Sequence, residues 1–153
     1  MSMRLRAVAA MVPEGAGSVA DVGAGDGQLS RELATRGCRV IATERTAASF
    51  ERLRDCSPDL DCRLGDGLTV LSPSEVEGVV LAGMGGHTIS RILATSADAV
   101  RTLGWLVLQP QQNPFQLSAW LNGAGFHTLA AEQAVERGRW YTVLLVKPPD
   151  DGS

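Results

Sequence analysis

Lysine is nearly absent from this chain: Lys147 is the only one, and arginine carries the rest of the positive charge. With 14 basic and 17 acidic residues the net charge is −3, so no global positive field advertises nucleic-acid binding. Arginines cluster modestly at Arg4/Arg6, Arg52/Arg54 and Arg137/Arg139, and each cluster reads as a solvated face. Cysteine is also scarce. Cys38, Cys56 and Cys62 are odd in number and show no C-x-x-C spacing, which points to reduced thiols in a cytoplasmic protein and leaves no metal site expected. No apolar run reaches the ~20 residues a membrane span needs, and the N-terminus has no signal-peptide stretch, so no membrane partner is expected. No internal repeat, linker or second domain is visible. What is present is an ordinary globular composition, 44% hydrophobic and 20% charged over 153 residues, long enough for one domain with its own core. That domain is expected over residues 1–147, with a disordered tail at 148–153 rich in proline and aspartate.

The stretch Val19-Ala20-Asp21-Val22-Gly23-Ala24-Gly25-Asp26-Gly27 organises the rest. A short apolar run breaks into glycines at alternate positions, and a helix-like segment, Gln28 to Arg36, follows. This is a strand, a tight turn and a helix N-terminus, where backbone N–H groups lie open to a ligand. Glycines let a ligand lie against bare backbone there. The dinucleotide fingerprint G-x-G-x-x-G would need glycine at position 28, which is Gln28, and this argues against a nicotinamide-dependent oxidoreductase. The pattern D-x-G-x-G-x-G instead resembles motif I of class I S-adenosylmethionine (SAM) methyltransferases. Asp21 suits that cofactor, whose ammonium and sulfonium a carboxylate field favours; a pyrophosphate would be repelled. Asp21, Gly23, Gly25 and Gly27 are therefore candidate cofactor residues.

The remaining elements alternate as a βα series. Residues 3–12 form a short amphipathic helix, with Leu5, Val8, Ala9 and Val12 on one face. Cys38 to Thr43 is a second strand ending at Glu44, where a ribose diol is hydrogen-bonded in doubly wound folds; a cap or surface carboxylate is the alternative. Thr46 caps a helix to about Cys56 with Phe50 and Leu53 inward. Cys62-Arg63-Leu64 leads into Gly65-Asp66-Gly67, where Asp66 is either a turn residue or a partner for the adenine amine, with Gly67 beside it. Ser72-Pro73-Ser74-Glu75 is a capping box that starts a short helix. Gly78 to Ala82 is a central strand, and Gly83-Met84-Gly85-Gly86 a second glycine-rich loop facing the same crevice. His87 opens the next helix as a cap, a surface residue or a substrate contact. Trp105 to Leu108 is a fifth strand. Gln109 follows it with no local structural task and is the favoured substrate-facing amide. Asn113-Pro114-Phe115-Gln116 caps a helix whose inner face includes Leu117, Trp120, Leu121 and Ala124. Phe126 to Ala130 and Trp140 to Val146 are two last strands joined by a turn at Arg137-Gly138-Arg139, so the final strand is antiparallel. The fold class is α/β: a doubly wound, mostly parallel, seven-stranded Rossmann-like sheet with an antiparallel last strand.

Taken in order, Arg4-Leu5, Ala20-Asp21-Val22-Gly23, Arg63-Leu64-Gly65-Asp66-Gly67-Leu68, Leu81-Ala82-Gly83-Met84-Gly85-Gly86 and Leu108-Gln109-Pro110 resemble the bacterial TrmK-like tRNA adenine-N1-methyltransferase family. The resemblance covers residues 4 to 146. It implies a class I methyltransferase fold, SAM as donor and N1 of a tRNA adenine as acceptor. Candidate cofactor residues then extend to Gly83, Met84 and Gly85, and candidate catalytic residues are Gln109, His87 and Tyr141. Two departures accompany it. Family members read Gly-Ser-Asp-His-Ala where this chain has Gly23-Ala24-Gly25-Asp26-Gly27, and they carry a C-terminal helical extension that begins where this chain ends. A homodimer or a separate RNA-binding chain is the partner expected to replace that extension. The competing expectations are a methyltransferase for a small molecule or protein, and a non-catalytic SAM-binding module.

Overall fold

In the computed structural model, which describes residues 1–150, seven strands form one sheet in the order β3-β2-β1-β4-β5-β7-β6. The elements run α1 (Met3–Met11), β1 (Ser18–Val22), α2 (Gln28–Thr35), β2 (Arg39–Glu44), α3 (Ala47–Cys56), β3 (Asp61–Leu64), β4 (Gly78–Gly85), α4 (Gly86–Thr95), α5 (Ala97–Arg101), β5 (Trp105–Gln112), α6 (Pro114–Gly123), β6 (His127–Glu136) and β7 (Arg139–Lys147). The first five strands pair in parallel, and β7 inserts antiparallel between β5 and β6. The strand order reverses between β1 and β4, where the strand ends splay and leave a crevice.

Alternation along the central strands divides the core in two. Val79 and Leu81 of β4, with Leu106 and Leu108 of β5, face Ile89, Leu93, Leu117 and Leu121 of α4 and α6. Val80 and Val107 point the other way, onto Val8 of α1 and Leu29 and Leu33 of α2. Burial on both faces explains why these strands are continuously apolar, with each fully buried side chain contributing ~1.5–3 kcal/mol. Gly78 begins β4 with no side chain because the Trp105 indole occupies the space a Cβ would take. Trp105 Nε1 is held there by a hydrogen bond to Glu77 Oε2 of 3.1 Å.

Several local expectations are corrected. Ser72–Glu75 makes a turn, not a helix start: Ser74 is left-handed (φ 61°), and only Val76 and Glu77 remain before β4. Half of the capping box survives, since Ser72 N donates to Glu75 Oε1 at 3.0 Å, but Arg63 claims the same carboxylate at 2.6 Å. Gly83–Gly86 is not a free loop. β4 runs on through Gly85 with register shifts at Met84, and α4 starts at once. Gly86 is required there, because a Cβ would stand 2.5 Å from the Asn113 carbonyl oxygen. Asn113 occupies the N-cap position of α6 in a left-handed conformation, without a side-chain cap bond. Phe50 is half-buried with Arg54 over its ring, while Leu53 is fully buried. Of α6's expected inner face, Trp120 is half-buried and Ala124 exposed. The last two strands are longer than their apolar runs, and the turn joining them has Arg137 and Gly138 both at positive φ (52° and 73°), the pattern that matches strand twist in two-residue hairpins. Past residue 147, Pro148 is still buried; 151–153 of the expected tail lie outside the described residues.

Gly78→Ala should destabilise the chain by ~1–3 kcal/mol through overpacking against Trp105, a fall in Tm of roughly 2–10 °C at this length. An unchanged Tm in thermal melts would show that the indole can move aside freely.

Candidate cofactor and substrate site

The turn after β1 carries the electrostatic centre of the molecule. Asp21 is 3% exposed and accepts a hydrogen bond of 2.6 Å from Ser30 Oγ on α2. Burial pushes its carboxyl up to about 6; the Ser30 bond pulls the other way, and the nearby Glu44 charge adds a smaller upward push. Gly23 and Gly25 both sit at positive φ, 72° and 63°. At Gly23 a side chain would also meet Met84 Cε at 2.8 Å, whereas the space over Gly25 is open. The tip of β2 clasps this turn. Gly23 N and Ala24 N donate to the Thr43 carbonyl at 2.9 and 3.1 Å, and Gly25 N donates to Glu44 Oε1 at 2.7 Å.

Two clefts meet at Gly23. One, of about 240 Å³, is lined by Thr43, Glu44, Asp66, Gly67, Met84 and Ile92 among others. The other, of about 340 Å³, is bounded by Arg4, Asp21, Gly25, Gln28, Arg52 and Ala82. A hollow of about 470 Å³ near the end of α1, lined by Pro13, Ala16, Leu33 and Cys38, lies away from these groups. The donor set fits a cationic nucleoside: carboxylates stand at the tips of three neighbouring strands, and the open space over Gly25 leaves a cradle. Thr43 Oγ1 is buried without a hydrogen-bond partner among the described residues, and a polar ligand group beside β2 would satisfy it. Asp66 is exposed and pairs with Arg91 at 3.6 Å. Gly27 is placed differently from the other loop glycines. It is the left-handed N-cap of α2, packed on Ser57 and Leu53, and lines neither cleft.

The substrate side of the edge is built around Gln109, which is fully buried. Its Oε1 accepts from Arg4 Nη1 at 2.7 Å and from Gly83 N at 2.9 Å, and its Nε2 donates to the Pro110 carbonyl at 3.0 Å. Gln109 thus holds Arg4 and the Gly83 bulge in place rather than presenting a free amide. Gln111 Nε2 donates to the Tyr141 hydroxyl at 3.4 Å, and Arg139 lies over that ring. Tyr141 is nearly buried at the rim; His87 is exposed in the first turn of α4. Gly83 and Gly85 border the crevice at the end of β4 without lining either cleft. Arg4, expected on a solvated face, instead bounds the cleft and bonds to Gln109. Its partner lies 105 positions away, and no local pattern marks the bond.

An acid whose pKa is raised on folding weakens the native state as it ionises, so Asp21 costs stability as pH rises from about 4 to about 6. Asp21→Asn should therefore remove that slope and gain on the order of 3 kcal/mol at pH 7, while losing affinity for the cationic ligand. Urea unfolding of both proteins across this pH range checks it; parallel curves would show that the buried carboxyl is not the source.

Residues 1–144 match the methyltransferase-domain family model. The chain is 29% identical over 98% of its length to the tRNA (adenine(22)-N(1))-methyltransferase of Bacillus subtilis, and it spans 66% of that curated relative. The crystal structure of the B. subtilis protein, TrmK, superposes with a TM-score of 0.88, covering 98% of this chain and 67% of that one at 29% identity. Streptococcus pneumoniae Sp1610, a candidate tRNA (m1A22) methyltransferase, is 30% identical with a TM-score of 0.88, covering all of this chain and 72% of the other. The same protein has been crystallised with S-adenosyl-L-methionine, at 29% identity and a TM-score of 0.89 over 75% of its length. The strand order, the glycine turn with its carboxylates and these likenesses together place the chain in the methyltransferase-domain family, as a homologue of the TrmK tRNA methyltransferases.

Proposed function

We propose that residues 1–147 form a SAM-dependent methyltransferase domain that methylates N1 of an adenine in tRNA. The observation that carries this reading is the convergence of Asp21, Glu44 and Asp66 on one glycine turn at the strand-order reversal, in a homologue of TrmK. SAM, when bound, supplies a methyl group on a positively charged sulfur. Asp21 would then provide the buried negative field that a cation favours, and a cation would in turn draw its raised pKa back down. Glu44 keeps one oxygen on Gly25 N and can offer the other to a diol, with the unpartnered Thr43 hydroxyl close by. Asp66 stands at the outer end of the same cleft, suited to an exocyclic amine.

Neutral adenine carries a free lone pair on N1, so the chain needs no strong general base. Its task is orientation and exclusion of water. The ring becomes cationic as it is methylated, which favours polar, uncharged surroundings such as the Gly83–Gly86 backbone. Gln109 acts by fixing that backbone, and by tying the Arg4 guanidinium to its own oxygen. His87 and Tyr141 remain at the rim as substrate contacts. An adenine within folded RNA must be extruded to reach the crevice, at ~a few kcal/mol of unstacking. Such a substrate would be met in the cytoplasm, and a second copy or a separate RNA-binding chain would supply further RNA contacts. Light scattering with and without tRNA tests that last point.

Methyl transfer from labelled SAM to unmodified bulk tRNA should yield 1-methyladenosine on nucleoside mass spectrometry. SAM binding without label in RNA would move the activity to another substrate. Gln109→Ala leaves Gly83 N and Arg4 without their acceptor and should lower kcat about tenfold or more, with SAM affinity by calorimetry intact; an unaltered kcat would remove Gln109 from the site. Glu44→Ala should weaken SAM binding about tenfold or more, and equal affinities would reassign that carboxylate to the turn alone.

A further inference from the structure

The β6–β7 hairpin stands beside the crevice and carries surface that the cofactor reading does not use. β7 pairs with β5 so that Leu108 faces Leu144. Continuing that register sets Gln112 level with Trp140, and the β4–β5 register sets Gly85 level with Gln112. Gly85, Gln112 and Trp140 therefore share one row across the C-terminal edge, and at ~4.8 Å between strands the Trp140 backbone is about 10 Å from Gly85. Trp140 is 67% exposed, and its cross-strand neighbour Val135 is 41% exposed. Phe115, in the first turn of α6, is 86% exposed. Single exposed apolar residues need no explanation, but exposed aromatic rings on two elements at the sheet edge that holds the crevice do.

The tip of the hairpin that carries Trp140 is positive in a chain of net charge −3. The hairpin tip, Glu136-Arg137-Gly138-Arg139, holds two arginines against one glutamate. That glutamate is engaged by the Arg4 backbone N–H at 3.3 Å. Arg139 is held at the rim, donating to the Gln111 carbonyl at 2.8 Å, and Arg137 tops the turn. Side chains alternate along β7. Tyr141 faces the α1 side with Gln111, and Trp140 the opposite side, on which Leu144 and Val146 pack against α6. We infer that Trp140, with Phe115 and the hairpin arginines, is a stacking platform for the unpaired nucleotides flanking the base in the crevice. This rests on the RNA substrate proposed above. An aromatic face accepts any base, and the arginines meet the phosphates on either side. The crevice selects the reacting base, and the hairpin supplies grip at positions beside it.

The test uses the full chain with Trp140→Ala, Trp140→Phe and Arg137→Ala, assayed by methyl transfer from labelled SAM to tRNA. Trp140→Ala should raise KM for tRNA about tenfold or more with kcat and SAM affinity unchanged, and Trp140→Phe should recover most of the loss. Arg137→Ala should lower the slope of log affinity against log salt by about one. Trp105 is buried and Trp120 half-buried, so iodide quenching of tryptophan emission reports chiefly on Trp140, and tRNA should protect it. An active wild type with an unchanged KM in Trp140→Ala, or with Trp140 still quenched in the tRNA complex, would overturn the platform alone. A wild type that binds SAM but leaves tRNA unlabelled would overturn the substrate reading and the platform with it. Shielding of Trp140 in RNA-free protein, together with a dimer by light scattering, would assign the patch to a second copy instead.

Discussion

Burying Asp21 under a glycine turn costs free energy, because water no longer solvates the ionised carboxylate and a single serine hydroxyl compensates only in part. The surrounding structure is arranged to keep that carboxylate in place. Ser30 is fully buried on α2, so the helix must start where Gly27 allows it. Gly23 and Gly25 take backbone conformations that a side chain would strain, and the tip of β2 satisfies the N–H groups the turn exposes. A carboxylate held at this cost, at the point where strand order reverses, suits a ligand that brings positive charge. The chain trades some native stability near neutral pH for that preorganisation.

From this centre the sheet edge separates into two functions. On the α1 side, Asp21, Ala82, Gln109, Gln111 and Tyr141 follow one another across the strand ends, and Arg4 crosses above them to reach Gln109. Gln109 couples the first helix to the β4 bulge, so the position of the backbone beside the crevice depends on residues at opposite ends of the chain. On the α6 side the antiparallel insertion of β7 carries the hairpin tip to the same edge. A parallel seventh strand would have carried that turn to the opposite edge. The antiparallel step is therefore what brings Arg137, Arg139 and an exposed indole to the edge that holds the crevice.

Much of this is legible in the sequence. The strand, glycine turn and helix around Asp21 depend on residues a few positions apart, and alternation or continuous apolarity marked the central strands. The carboxylates at Glu44 and Asp66 were readable because strand tips in a βα series share one edge. The errors came where local signals met tertiary demands. Ser72–Glu75 has capping-box chemistry, yet β4 begins too soon for a helix, and Arg63 takes the carboxylate. The Gly83–Gly86 run suggests a loop, but pairing with β5 holds it as strand through Gly85, and α4 begins at Gly86. Gln109 was recognised as unusual for want of a local role, and its role is with Arg4 and Gly83.

The sequence by itself determined the glycine turn, the acid before it and the chain order of the strands, because backbone dihedral demands and apolar periodicity act over short stretches of chain. Only the tertiary structure decided that Arg4 belongs to the site, that Gln109 is a buried clamp, and that the β6–β7 hairpin stands level with Gly85. These are pairings between groups far apart in the chain, and side chains of the same types would satisfy local chemistry equally well as solvated residues.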